Sequence, residues 1–290
     1  MANRVHAYSP FVRRETYGRN AIVAYRVLAP ISWLLVVVFG IYYSAHRPGD
    51  VPDGRRVWEQ VQLNPTPFSQ STVVTGIFWI ILLLSQLGYI SQLYSRDGAK
   101  VTVAANVAGY FILNNVFVVS FILLWVRNHF WSAEVIDIAN LVSQGIVYWN
   151  YHDLPAIVHL PAVAGPYAWT LTTLFWNGAV AVGGESTPKR LVANVLIWGY
   201  FLFGQGHIAK RNDPLYGYSL SLLTLSLALK QVSIKIISLQ WIFAFVIFGV
   251  FLVSSFHSSA ARYKNRNFFL TSLVEPEAAD RERQPLLSDE

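Results

Sequence analysis

The sequence predicts an all-α, polytopic transmembrane helix bundle of about eight spans, or seven if residues 133–151 lie at the membrane surface. Three observations predict it. Hydrophobic residues make up 54% of the 290 and charged residues only 13%, with a mean hydropathy of +0.39, whereas a soluble domain is about 25% charged. So much apolar surface also excludes disorder for most of the chain. The apolar residues fall in uncharged runs near the roughly 20 residues that a helix needs to cross a bilayer core. The third observation is that Lys and Arg gather at the ends of these runs. Arg13, Arg14 and Arg19 precede the first, and Arg262, Lys264 and Arg266 follow the last. Arg96 and Lys100, Lys189 and Arg190, and Lys210 and Arg211 stand between. Loops of polytopic membrane proteins look like this, whereas a nucleic-acid-binding face would interleave basic residues along one helix or groove. The net charge of +6 therefore does not signal nucleic acid. Aromatic residues, 15% of the chain, supply the rings that anchor where lipid meets water. With no Cys, disulfides, thiolate metal sites, a Cys nucleophile and Cys-linked acylation are all excluded.

Each element follows in order. Residues 1–20 read as a cytosolic tail, 21–261 as the membrane domain and 262–290 as a flexible cytosolic tail. The first span, Val27 to Ala45, is uncharged for 19 residues, too long for a signal peptide and without a small-residue cleavage site after it. Pro30 falls near its start, where a missing N–H costs least. His46 to Gln70 reads as a loop, with Pro48, Pro52, Pro65 and Pro67. The second span is Val73 to Tyr94, and the third is Val101 to Val126, which has no charge in 26 residues. Arg127-Asn128-His129 then forms a tight turn between Trp125 and Phe130-Trp131, an interfacial belt. Ala133 to Tyr151 is the fourth span and carries Glu134 and Asp137 in its first two turns. An acid at a helix centre would cost about 2.5–3.5 kcal/mol, and less near an end.

The fifth span, Leu154 to Gly184, has no charged group besides His159 and contains Pro155, Pro161 and Pro166, so a bent helix is expected. Leu191 to Ala209 is the sixth. Leu215 to Ile234 is the seventh, with Lys230 able to snorkel, and Ile236 to Phe256 is the eighth. Eight spans put both termini on the side richer in Lys and Arg, hence the cytosolic side. The one Asn-X-Thr string, Asn64-Pro65-Thr66, is blocked by its proline.

Three polar constellations could carry chemistry. Glu134, Asp137, Asn140 and Gln144 share one helical face, the pattern of a proton or cation relay, of a polar end to a ligand cavity, or of a stripe packed for stability. Asn106, Tyr110 and Asn114 form a second stripe, with Asn115 beside it, suited to hydrogen bonds between helices. The third is His159, Thr170, Thr173 and Asn177, with Trp169 and Trp176 among them. His159 could exchange protons with Asp137 if their helices meet. Candidate ligand-binding residues are therefore Glu134, Asp137, Asn140, Asn114, His159 and Asn177. No catalytic set is marked. The histidines are too dispersed for a zinc site, and no nucleophile elbow, P-loop or dinucleotide fingerprint is present, so no metal or cofactor is expected. Ala105/Gly109 and Ala164/Ala168 have the spacing of close helix approach. Near the end, Glu282-Arg283-Gln284-Pro285-Leu286-Leu287 fits an acidic dileucine sorting signal, with Glu282, Leu286 and Leu287 as its determinants. It implies an adaptor complex as partner and an endomembrane or vacuolar address.

Several strings resemble an uncharacterised fungal family of multi-pass membrane proteins. They are Phe111-Ile112-Leu113-Asn114-Asn115, Leu124-Trp125-Val126-Arg127-Asn128-His129-Phe130-Trp131, His159 to Pro166 with Ala168-Trp169, and Phe175-Trp176-Asn177-Gly178-Ala179. Val192-Ala193-Asn194-Val195 and Leu239-Gln240-Trp241-Ile242-Phe243-Ala244-Phe245 belong to the same resemblance, which covers roughly residues 73 to 256 and implies a fold without a mechanism. Phe78-Trp79 after a Pro-containing loop, the Asn and Trp residues of the third span, and Trp176-Asn177 at the end of the bent helix are similar to the TspO tryptophan-rich sensory protein superfamily. That resemblance implies porphyrin- or sterol-like ligands. The expected function is binding or carrying a small, partly apolar solute in a polar intramembrane cavity. The alternatives are an intramembrane enzyme acting on a lipid, with Asp137 and His159 as acid and base, and a non-catalytic membrane organiser. Besides the bilayer, the expected partners are an apolar or amphipathic solute and the adaptor at the tail, with no nucleic acid.

Overall fold

Helix is the only regular structure among the described residues of the computed structural model. A bilayer imposes this, because a backbone N–H or C=O in hydrocarbon must find its partner within its own segment. The structure describes residues 11–151, 154–183, 187–234 and 239–282, with the backbone alone at 187–190 and 263–282. The first five helices are α1 Arg19–Ala45, α2 Val57–Leu63, α3 Thr72–Leu93, α4 Gly98–Trp125 and α5 Phe130–Asn150. A bent rod follows, made of α6 Ala156–His159, a π turn at Leu160–Ala164 and α7 Gly165–Val182. The last three are α8 Thr187–Arg211, α9 Pro214–Ile234 and α10 Gln240–Glu282. Among the described residues, eight long rods thus occupy the eight segments that the hydropathy pattern marks.

Among the described residues, five helical stretches are long and apolar enough to cross a membrane: Arg19–Ala45, Thr72–Leu93, Gly98–Trp125, Leu191–Arg211 and Gln240–Arg262. The less apolar rods are α5, the bent rod and α9. In α7, 12 of 18 residues are buried and in α9, 12 of 21, against 5 of 27 in α1. The outer helices instead expose Val, Ile and Leu, with Val73 70% and Ile41 67% accessible. Asn114, Asn115, Asp137, Asn140, Gln144, Thr173 and Asn177 are all buried. Polar groups inside and aliphatic groups outside are the distribution expected of a helical membrane bundle. Neighbours in sequence pack as neighbours in space: α4 on α5, α5 on α7 and α9 on α10, while α1 lies along α4 and α3 touches α1, α4, α9 and the π turn.

The structure departs from the sequence reading at three places, and it gives the expected bend of the fifth span its form. The segment read as a loop from His46 to Gln70 contains α2, whose Glu59 accepts the Arg56 backbone N–H at 3.3 Å. α1 begins at Arg19, so Pro30 lies in its interior and leaves the carbonyl of Arg26 without its helical donor; the Tyr94 hydroxyl donates to that oxygen. The bend of the fifth rod is a π turn, in which the Gly165 N–H reaches past Pro161 to the Leu160 carbonyl. α10 continues as helical backbone to Glu282, past Arg262. Of the sorting string, Leu286 and Leu287 lie outside the described residues, as does the side chain of Glu282.

Candidate functional site

The polar stripe of α5 faces that of α7, and the two helices run antiparallel. Asn177 Nδ2 donates to Glu134 Oε2 at 2.7 Å and to the Phe130 carbonyl at 3.0 Å. Asp137 lies beside the Thr173 hydroxyl, and its Oδ2 has no partner. Asn140 Nδ2 donates to Thr170 Oγ1 at 3.3 Å and to Asn114 Oδ1 of α4 at 3.0 Å. The chain of bonds goes on through Asn114 Nδ2 to Asn115 Oδ1, at 3.4 Å, and Asn115 Nδ2 to Ser32 Oγ of α1, at 3.1 Å. Both ends close on backbone, Ser32 on the Ala29 carbonyl and Thr170 on that of Pro166. One hydrogen-bonded chain therefore ties α1, α4, α5 and α7 together. Gly178 leaves room for the Glu134 carboxylate, because a Cβ there would stand 2.9 Å from Oε1.

Of the six candidate ligand-binding residues, five meet in this ladder. The sixth, His159, does not. Its Nε2 lies 2.7 Å from Asp213 Oδ2, and both side chains are almost fully buried. Asp213 uses its other oxygen to accept the N–H groups of Leu215 and Tyr216, at 3.1 and 3.4 Å, which caps α9. Tyr148, Tyr167 and Tyr216 cluster beside this pair, with ring centroids 5.0–5.2 Å apart. On α5 the neighbour of His159 is Tyr148, eleven residues beyond Asp137 and so about 16 Å along the helix. Asp137 and His159 are not an acid–base pair. Among the described residues no group of three His, Cys, Asp or Glu side chains is placed to hold a metal ion.

A groove of about 560 Å3 opens between α1 and α3, with α4 as its floor and α7 at its deep end. Trp58, Trp79, Trp125, Trp169 and Trp176 line it, together with aliphatic residues such as Val36, Ile80 and Leu83. None of the six sequence-marked residues does. Trp79 packs on Trp169 at 5.0 Å, and Trp125 on Trp176 at 4.9 Å. Trp125 donates its indole N–H to the Val57 carbonyl at 3.3 Å, whereas Trp176 Nε1 is buried without a partner. Gly40 of α1 and Gly76 of α3 both line the groove, and a Cβ at either would meet nothing within 4 Å.

The end of the groove at Trp58 is closed by the segment carrying α2, which is pinned to the α4–α5 turn. Gln60 donates to the Trp125 carbonyl at 2.9 Å. Asp50 accepts from Arg127 at 2.9 and 3.1 Å, and Glu59 pairs with Arg47. The Arg127 hydrogen bond holds the Asp50 carboxyl below its usual range, and the Arg47 hydrogen bond does the same for Glu59.

Comparison with known proteins adds one match. Residues 190–287 match the family model described as "Fungal protein of unknown function (DUF1774)". The match covers about a third of the chain, from the start of α8 through α9 into the tail. It includes Val192-Ala193-Asn194-Val195 and Leu239–Phe245, consistent with the resemblance to an uncharacterised fungal family. No curated protein and no solved structure matches the chain, so the TspO resemblance gains nothing from these comparisons.

Reading the sequence missed Asp213 as the partner of His159, since 54 positions separate them. It also missed the groove. Trp58, Trp79 and Trp125 lie in three separate segments, and only Trp169 and Trp176, seven residues apart, were legible as one helical face.

Proposed function

We propose that this protein is an intramembrane binder of a small, ring-bearing apolar molecule that enters from the lipid between α1 and α3. The observation that carries the reading is the five-tryptophan groove. Its volume of about 560 Å3 falls within the range of about 300–1,000 Å3 typical of small-molecule sites. Indole faces favour flat rings through offset and edge contacts. The unpartnered Trp176 N–H favours a ligand with one hydrogen-bond acceptor at its leading end.

The polar ladder then acts from behind the site. Thr170, Thr173 and Asn177 hold one side of α7 on α5, which sets the position of Trp169 and Trp176 on the adjoining side. The reading extends to an endomembrane or vacuolar protein with both termini cytosolic and an adaptor-binding tail, supported by the Lys and Arg distribution and by the Glu282, Leu286, Leu287 string.

The test is mass spectrometry of small molecules retained by protein extracted with its lipids in polymer discs. The wild type should retain one ring-bearing species that Gly76→Leu, which fills the groove, loses. Identical retained species in both proteins would refute the reading.

A further inference from the structure

Arg13, Arg14 and Arg96, which stand at different segment ends in the sequence, come together in space. At the end of the bundle away from α2, a pocket of about 1170 Å3 is lined by Arg13, Arg14, Arg26 and Arg96, together with Tyr17 and Asn106. Among its described lining residues Glu15 is the one acid. Three segments deliver the arginines: the stretch before α1, α1 itself and the α3–α4 turn.

The wall carrying Arg13 and Arg14 is built into place. Asn106, buried on α4, accepts the Arg14 backbone N–H at 2.8 Å and the Tyr17 hydroxyl at 3.0 Å, and donates to the Arg14 carbonyl at 3.2 Å. The Tyr110 hydroxyl adds a bond to the Phe11 carbonyl at 3.3 Å. Two residues of the second polar stripe are thus spent on docking a basic segment against the bundle. Arg26 is also fixed, donating to the Leu93 carbonyl at 2.7 Å with its guanidinium over the Tyr94 ring. Arg13, Arg26 and Arg96 bring cationic groups from three segments to one concavity, where an anion would lower their mutual repulsion.

We propose that this pocket binds the phosphorylated headgroup of an anionic lipid. Guanidinium groups match phosphate oxygens two at a time, and basic pockets between membrane helices are sites for such headgroups. The pocket exceeds what a lone phosphate fills, so a polyol carrying a phosphomonoester suits it, with Ser95 and Thr102 on the wall as hydroxyl partners. A lipid is favoured over a soluble phosphate because Ile22 lines the pocket and the exposed face of α1 continues from it through Val23, Val27 and Ile31, where acyl chains can lie. The site uses other residues than the tryptophan groove and stands or falls separately.

The experiment compares full-length protein in phosphatidylcholine nanodiscs with and without phosphatidylinositol monophosphate, reading bound lipid by native mass spectrometry and melting temperature. The wild type should bind the phosphorylated lipid and melt higher with it. The double variant Arg13→Gln/Arg96→Gln should bind about thirtyfold more weakly, from the loss of two basic groups near the surface, while Arg13→Lys/Arg96→Lys, which keeps the charge and loses the paired guanidinium contacts, should fall between it and the wild type. Equal binding by wild type and the Gln variant would overturn the proposal. Soluble inositol monophosphate binding as tightly as the lipid would overturn the lipid assignment.

Discussion

The side-chain amide of Gln86 on α3 donates to the carbonyl of Pro161 in the π turn at 3.3 Å. The bond answers a deficit that two prolines create. In an α-helix the Pro161 carbonyl would accept from the Gly165 N–H, but that N–H goes to Leu160, and the next residue, Pro166, has no N–H to offer. Tyr94 serves the Arg26 carbonyl in the same way at Pro30. Both donors come from α3 or its end, so α3 is what makes two broken helices tolerable in lipid.

Replacing Gln86 with Leu should leave a buried carbonyl unsatisfied and cost about 1–3 kcal/mol. The melting temperature of the purified protein, followed by size-exclusion chromatography, should fall clearly. An unchanged value would mean that another group meets that oxygen.

The ladder between α5 and α7 should behave as glue. Asn140→Ala removes the bonds to Asn114 and Thr170 and should destabilise by about 1–2 kcal/mol. Asp137→Asn keeps a polar group beside Thr173 and removes a carboxylate whose burial is costly, so its melting temperature should equal or exceed that of the wild type. A fall with Asp137→Asn as large as with Asn140→Ala would show that the charge itself is needed.

The α9–α10 contact should be intolerant of one added methyl group. A Cβ on Gly217 would collide with Ser255 Oγ, so Gly217→Ala should lower the yield of folded protein. Gly217→Ala/Ser255→Gly should restore it. Gly40→Ala, whose Cβ meets nothing within 4 Å, should be neutral in the same assay.

Acid should loosen the cap at α2 before the bundle. The Asp50 and Glu59 carboxyls are held below their ordinary values of 3.8 and 4.5 by Arg127 and Arg47. Groups shifted in this direction contribute fully above their unfolded-state values and lose that contribution as pH falls through the lowered folded values. Proteolysis within residues 46–70 should therefore be constant from neutral pH to about 5 and rise only below the carboxylate range. Asp50→Asn/Glu59→Gln should be cleaved faster at neutral pH and show no acid step.

Much of the architecture was legible in the sequence because lipid acts on composition: uncharged runs such as Val101–Val126 have one stable form in a bilayer. The polar partners were legible only in part. Glu134, Asp137 and Asn140 share a helical face by spacing alone, as do Thr170, Thr173 and Asn177, but periodicity does not say that the two faces meet. His159 and Asp213, or Gln86 and Pro161, are joined by helix packing over 54 and 75 positions, and no local pattern encodes that. The prolines did carry a signal, since each interior proline leaves an orphan carbonyl; which side chain answers it depends on the fold.

The central claim is that the tryptophan groove holds an apolar ring-bearing molecule. Its most direct test is energy transfer from tryptophan to a pyrene probe titrated into nanodiscs containing the wild type, Gly40→Leu or Gly76→Leu. The account predicts a saturable transfer component in the wild type that both leucine variants abolish, leaving only the linear signal of pyrene dissolved in lipid. A saturable component of equal size in all three proteins, or none in the wild type, would contradict it.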